Sequence, residues 1–550
     1  MKKILYKAIC IASLIGLTAC EKTFDELASN PNQQDVNGFY SSPEKIDQGV
    51  RGVYAYITTP RAMGTAGRLQ INRGDESSDR SDYGAPGQYS AQLTASWYTV
   101  VQPYSLFYTA ASQACQMIEA IPKVNFSNQQ LKNAYLGEAY FLRAYTHWFL
   151  FLNFRNIPLM KELPSSAKDY KPQATPEEAW DFIISDLKRA KELLPEKGFW
   201  TGESVGRVTK GSAIALLGKA YLYRSGIEHY YGHSNTTYYN EAAAEFNELI
   251  LSGKYRLVAD YNDNFKVATE NNDESIFELQ FLGDVTNTGF NPGLSNSGVW
   301  RDPRGYFPPN VKNIANSVVH DWVYNTFVNS KDASGHTDPR MFGTLIFDDT
   351  KSEINARTGD QVRVFDNKTF AQFYGTNGFE SVNAQAKKYK AACRKGIDWT
   401  LPTNNPGNNF FMWQNRANGL NQTEIRYADV LLMYAEAVVK GGTQGSLTAL
   451  DAVNQVRARV GMPAVSSVDM DVIEHERILE LTQEGHRFFD LLRWGKVAQR
   501  FHELERTDPN FKQYNTSPYL GFQENKNEWL PIPVDEVEGN PHITRNNPGW

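Results

Sequence analysis

Aromatic rings set beside hydrogen-bonding groups are the chemistry-bearing feature of this chain. Between Gly74 and Tyr98 stand Asp79, Arg80, Asp82, Tyr83, Tyr89, Trp97 and Tyr98, with Gly84, Pro86 and Gly87 imposing loop geometry. A flat ring stacks on the apolar C–H face of a sugar, while carboxylate, amide and guanidinium groups bond its hydroxyls at the edge. The competing reading is that these rings fill space beneath a long loop. Patterns for catalysis are weak. Gly202-Glu203-Ser204-Val205-Gly206 has the form G-x-S-x-G, but a nucleophile elbow needs a buried strand before it and a helix immediately after. Phe199-Trp200-Thr201 is too short and polar for that strand, so the segment reads as a turn ahead of a helix capped by Thr209. None of the nine histidines belongs to an HExxH pattern, since His502-Glu503 lacks its second histidine. Asp260, Asn262 and Asn264 imitate the opening of a calcium loop, with Phe265 where glycine is required. A glycosidase would be marked by the spacing of two carboxylates in space, and no segment points to one. The expectation is a binding protein with no enzyme activity, metal or cofactor.

The elements that must position these groups are mostly helical. Thr175-Pro176-Glu177-Glu178 is a capping box with proline at the first helical position. Trp180, Ile183, Leu187, Ala190 and Leu194 follow at helical spacing before Pro195. Further helices are expected over 130–153, from the Thr209 cap to Gly226, from Asn240 to Gly253, along Ile425–Ala435 up to Gly441-Gly442, and from a Ser446 cap through Val456. A helical run also covers Ala111 to Ile121, carrying Cys115. These read as helical hairpins stacked like tetratricopeptide repeats, without a strict 34-residue period. The scaffold therefore occupies about 100–255 and 424–500. Residues from about 256 to 423 form a loop-rich insertion, rich in Asn, Gly, Asp and Pro, with rings over 291–309 and 404–413. Their aromatic content argues against disorder. Arg426, Asp429, Glu476, Arg487 and Asp490 lie on otherwise apolar helices and are expected to form inter-helix ion pairs. Trp322, Tyr324 and Trp494 are assigned to packing.

Composition narrows the class further. The 550 residues carry a net charge of -6, which gives no basic footprint for nucleic acid. Aromatic residues make up 13%, with 29 Tyr and 30 Phe, a surplus that suits recognition by flat faces. Lys2, Lys3 and Lys7 precede a short apolar run, Ala8 to Leu17, too short to span a bilayer and read as an export signal over 1–19. Leu17-Thr18-Ala19-Cys20 resembles the lipobox of bacterial lipoproteins, which would make Cys20 the acylated residue and tether the chain to a membrane. Glu21, Lys22, Asp25 and Glu26 after it resemble the surface-export signal of Bacteroidetes lipoproteins. Cys115 and Cys393 are left either to pair or to pack separately.

Several ordered motifs resemble those of the SusD/RagB family of outer-membrane nutrient-binding lipoproteins. Gly137-Glu138-Ala139-Tyr140-Phe141-Leu142-Arg143-Ala144 is similar to its GEAxFLRA helix, and Arg426-Tyr427-Ala428-Asp429-Val430-Leu431-Leu432 to its RYADVLL segment. Val453-Asn454-Gln455-Val456-Arg457-Ala458-Arg459 is similar to its VNxVRxR helix. Glu476-Arg477, Glu484-Gly485-His486-Arg487 and Asp490-Leu491-Leu492-Arg493-Trp494-Gly495 fit its ER…EGxRxxDLxRWG run, and the chain closes as the family does, with Pro531-Ile532-Pro533 and Asn546-Asn547-Pro548-Gly549. Cys115 stands where the family usually has Asn. The resemblance implies a mainly α SusD-like fold, one domain over 20–550, with tetratricopeptide-like hairpins as scaffold and a loop-rich half for ligand. It also implies glycan contacts in the Gly74–Tyr98 stretch and in a second loop, Trp300 to Tyr306, whose end rings are the candidates there. The implied partner is a SusC-like TonB-dependent transporter in the outer membrane of a Bacteroidetes-type bacterium, to which a surface-exposed lipoprotein passes oligosaccharide. Two alternatives stay open: a RagB-like peptide carrier, and a mainly structural lid for the transporter.

Overall fold

The computed structural model describes residues 39–59, 62, 69–79, 89, 91, 93–164, 166, 169–232, 234–281, 317–364, 367–375, 378–381, 389–396, 398–400, 419–508 and 521–550. It is mainly helical. Helices α1 (Pro43–Thr58), α2 (Tyr98–Ala120), α3 (Gln129–Phe154), α4 (Pro176–Leu193), α5 (Lys210–Tyr230) and α6 (Tyr239–Leu251) each pack on the next. The stack then continues with α10 (Tyr427–Val439), α11 (Ala449–Arg459) and α12 (Met470–Leu481), because α6 packs directly on α10. Everything between Leu251 and Tyr427 is thus inserted at one joint of the stack. Strands β2 (Ser275–Leu279) and β6 (Gln422–Arg426) pair antiparallel at that joint and tie its entrance to its exit.

Local sequence explains the helix ends. At α4 the Thr175 hydroxyl accepts from the Glu178 amide at 3.2 Å, and the Glu178 carboxylate accepts from the Thr175 amide at 2.8 Å. This reciprocal pair satisfies two of the donors a helix start leaves unpaired. Three expected boundaries move. Gly226 does not end α5, which runs to Tyr230. A Cβ there would lie 2.4 Å from the Arg493 carbonyl oxygen, so the glycine admits a neighbouring backbone within the helix. Helix α6 starts at Tyr239, and the Asn240 side chain accepts from both the amide and the hydroxyl of Thr443 at 2.9 Å. Helix α11 is capped by Thr448 with Asp451, while the Ser446 amide and hydroxyl both donate to Asn247 at 2.7 Å. Asn240 and Asn247 stand two turns apart on one face of α6 and clamp the loop of the next hairpin.

The described part of the inserted segment contributes three strands to a small sheet. Strands β1 (Ser77–Asp79), β3 (Ser317–Val319), β5 (Ala391–Cys393) and β4 (Leu345–Phe347) form an antiparallel sheet in the order β1-β3-β5-β4. Helices α7 (Asp321–Asn329), α8 (Arg340–Thr344) and α9 (Phe370–Tyr374) accompany it. Val318, Phe327, Phe342, Phe347, Val364 and Phe370 pack there in a hydrophobic cluster of their own. Helix α12 joins the two bodies: Ile473 and Leu481 belong to the main core, and Leu479 belongs to the sheet's cluster.

Buried ion pairs stitch the late helices. Arg426 reaches Glu274 and Glu484, each at 2.7 Å. Arg340 pairs with Asp338 at 2.8 Å and with Glu476 at 2.6 Å, and Glu476 also takes Arg457. Arg477 joins Asp429 at 2.8 Å to Asp490 at 2.7 Å. The charged residues of the late motifs are therefore structural, each with a partner that offsets part of its desolvation. Trp494 and Tyr324 are buried, with the Trp494 indole donating to Glu436 at 2.9 Å. Cys115 on α2 and Cys393 on β5 are both buried and are not joined to each other by a disulfide. Among the described residues no helix is long and apolar enough to cross a membrane.

Candidate ligand-binding site

Two stretches far apart in sequence meet at one end of the four-stranded sheet. Strands β1 and β3 pair Ser77 with Val319 and Asp79 with Ser317. Beyond β3, Ala392 of β5 faces Val318, and Leu345 of β4 faces Cys393. Asp79, Ser317, Cys393 and Leu345 accordingly share one end. In sequence, Asp79 is the last residue of β1 and Ser317 the first of β3.

Strand β1 has only three residues, and the preceding Asp75 anchors it. The fully buried Asp75 carboxylate accepts from Arg487 at 2.8 and 3.2 Å and from Arg500 at 2.7 Å. Burial pushes this carboxyl up, but the two guanidiniums outweigh it and hold it at about 2. The Asp75 carbonyl accepts from the Trp322 indole at 2.7 Å and the His320 ring at 2.8 Å, and the Glu76 carbonyl accepts from the His320 amide at 2.9 Å. The Glu76 carboxyl, also buried, is pushed up to about 7 by burial and by the Asp75 charge beside it. Arg487 belongs to the family-like run near the C-terminus, so a late helix fixes an early loop. Trp322, expected in the core, lies half-buried over this anchor with Arg500 4.5 Å from its ring centroid.

The same sheet end borders a cleft of about 750 Å³. Its walls are the turn at 260–265, the segment from Arg357 to Arg363, the Arg394–Trp399 pair and the C-terminal end of α11. Arg394 directly follows β5 and stacks its guanidinium 3.6 Å from the Trp399 ring centroid. The calcium-like spacing at 260–264 is a turn: Asp260 accepts from the Asn262 amide at 2.9 Å and opens a 3₁₀ helix, Tyr261–Phe265. Gly202–Ser204 is likewise a single 3₁₀ turn ahead of the Thr209 cap.

The expected site residues fall into three groups. Asp79 pairs through its backbone, while its side chain and all of Arg80, Asp82, Tyr83, Trp300 and Tyr306 lie outside the described residues, as does Cys20. Trp97 and Tyr98 are half-buried at the start of α2, with ring centroids 5.1 Å apart and planes tilted by 42°. The Trp97 indole N–H has no partner among the described residues. Tyr89 requires a correction. It is 3% exposed, its ring meets Phe501 and Phe522 edge-on at 5.1 Å, and its hydroxyl donates to the Arg73 carbonyl at 3.1 Å. With both neighbours in place it packs the loop against the main core and offers no ring face to a ligand. Asp75, Arg394 and Trp399 were not anticipated. Asp75 lies inside the stretch first singled out, and Arg394 follows the apolar Ala391-Ala392-Cys393.

Comparison with known proteins places the chain among relatives. The SusD family model matches residues 273–550, and a second model, described as starch-binding associating with outer membrane, matches 25–222. The curated SusD-like protein P2 of Formosa agariphila is 25% identical over the whole of both chains. A SusD homolog of Bacteroides thetaiotaomicron has a TM-score of 0.73 at 23% identity, covering 94% of this chain and 99% of its own. Surface glycan-binding protein A of the same species, solved with laminarihexaose, has a TM-score of 0.67 at 19% identity, covering 92% and 100%.

Proposed function

Because the chain belongs to the SusD family, we propose that it captures an oligosaccharide at the bacterial surface and passes it to a TonB-dependent outer-membrane transporter. The β1–β3 pairing supports this reading by setting Asp79, the first of the proposed contacts, opposite Ser317. Tyr83, Trp300 and Tyr306 stack on sugar faces, and Asp79, Arg80 and Asp82 bond hydroxyls at the ring edge. Trp97 and Tyr98 offer a further half-buried ring pair at the start of α2. Lipid on Cys20 tethers the molecule to the membrane. Ligand is bound and released unchanged, by stacking weak enough to permit hand-over. The solved relative holding laminarihexaose supports a saccharide as cargo.

The test uses the soluble chain that starts after Cys20, screened on immobilised glycans and then titrated calorimetrically with the best ligand. Trp300→Ala should weaken binding tenfold or more, about 1.4 kcal/mol. Unchanged affinity in that variant would reject the site. A screen that retains peptides and no glycan would reject the cargo.

A further inference from the structure

The cleft beside the sheet end contains a cation that its surroundings leave unanswered. Arg394 is 3% exposed, yet no carboxylate lies within ion-pair distance of it among the described residues. One terminal nitrogen donates to the Phe342 carbonyl, the plane rests on Trp399, and Nε has no partner among the described residues. Arg340, Arg426 and Arg477 each meet one or more carboxylates, whereas the buried Arg73, away from this cleft, is answered by Asn153 and two backbone carbonyls. Burial lowers the Arg394 guanidinium to about 9, against the charges of Asp260 and Asp398, with Arg363 lowering it further. Arg459 lines the same cleft, its terminal nitrogens on Glu274 and Glu480 and its Nε without a partner among the described residues, with Arg363 and Lys266 nearby on its walls. Opposing charge is limited. Asp260 is engaged by Lys266 at 3.3 Å and by Asn262, and the Asp360 carboxyl is pushed up by burial. A buried, unpaired polar group in a native protein needs an account, and a guanidinium held flat against an indole presents its donors to an oxyanion in fixed geometry.

We propose that this cleft is a subsite for an anionic substituent on the captured saccharide, a uronate carboxylate or a sulfate ester, with Arg394 as the charge that receives it. The inference rests on the reading of the sheet end as a glycan site and names the substrate class for it: acidic oligosaccharides. Arg394 follows Cys393 at the same end of the sheet as Asp79 and Ser317, so a chain lying across those strands would bring a substituent to it.

The test titrates the soluble chain with three hexasaccharides: oligogalacturonate, a sulfated carrageenan fragment and neutral laminarihexaose. One acidic ligand should bind at least tenfold more tightly than the neutral one and weaken steeply with added salt, and which one it is separates carboxylate from sulfate. Arg394→Lys and the rim variant Arg363→Gln should each remove most of that preference and leave neutral binding unchanged. Should Arg394→Lys misfold, Arg363→Gln still decides. Acidic ligands binding no tighter than the neutral one would overturn the subsite while leaving glycan capture standing. Absence of binding by all three would overturn the subsite, and the broader glycan screen then tells whether capture itself fails.

Discussion

Replacing Asp75 by Asn should unfasten the first loop from the late helices. The substitution keeps shape and removes the charge that faces Arg487 and Arg500. Holding this carboxyl at about 2, against an ordinary value of 3.8, corresponds to roughly 2.5 kcal/mol at about 1.4 kcal/mol per unit. Breaking a buried pair on one side adds the cost of the abandoned cation, and such losses run to about 3–5 kcal/mol. Here Arg487 keeps Glu474 at 2.8 Å and Arg500 keeps Glu503 at 3.0 Å, which places the expected loss near the lower end, about 3 kcal/mol. Urea denaturation followed by tryptophan fluorescence reads the difference directly. Its pH dependence is the stricter check. A carboxyl whose value is depressed in the folded state contributes fully above its unfolded value and loses that contribution as pH falls through the folded one. The gap between parent and variant should therefore shrink between pH 4 and 2, and it also narrows as pH rises from 5 to 7, because without the Asp75 charge Glu76 is pushed up less. A loss below 1 kcal/mol at pH 7, or a gap undiminished at pH 2.5, would refute the reasoning.

The neighbouring Glu76 has the opposite sign. Its carboxyl, at about 7 when folded, keeps a proton that the unfolded chain has already released, so its contribution to stability declines as pH rises from 4.5 to 7. Glu76→Gln abolishes that dependence, and the variant should gain about 3 kcal/mol on the parent across this interval in parallel melts at pH 4.5 and 7.5. A constant difference would show that Glu76 is ionised throughout. Gly226→Ala drives a methyl into the Arg493 carbonyl, and the forced separation of α5 from α13 (Arg487–Arg493) should cost at least about 1–3 kcal/mol in thermal unfolding. An unchanged melting temperature would mean that the two helices do not approach as described.

The helical frame was legible because its signals are long or redundant. Thr175-Pro176-Glu177-Glu178 announces a helix start by chemistry alone, and Trp180 through Ala190 repeat at helical spacing over several turns. Burial of charged residues on apolar helices was legible too, since Arg426 or Asp490 has no other stable arrangement. The sheet was not. Ser-Val-Val, Leu-Ile-Phe and Ala-Ala-Cys are three-residue strands, too short to show alternation, and their pairing is decided by partners far along the chain. Asn240 and Ser446 misled for a different reason. Both are residue types that cap helices, and here their side chains face the adjoining hairpin. Tyr89 looked like a recognition ring because it sits in a polar stretch; only Phe501 and Phe522, contributed by the last part of the chain, reveal its burial.

The joint between α6 and α10 has a consequence for synthesis. Phe246 and Leu249 of α6 belong to the main core, and α10 packs on that helix only after the whole inserted segment has been made. Until then a greasy helix face waits uncovered, a natural handhold for chaperones. Once closed, the seam is secured on both sides by β2–β6 and by the asparagine clamps at Thr443 and Ser446. A protease that nicks the intervening chain should accordingly release nothing: two pieces of polypeptide would migrate as one particle until denaturant parts them.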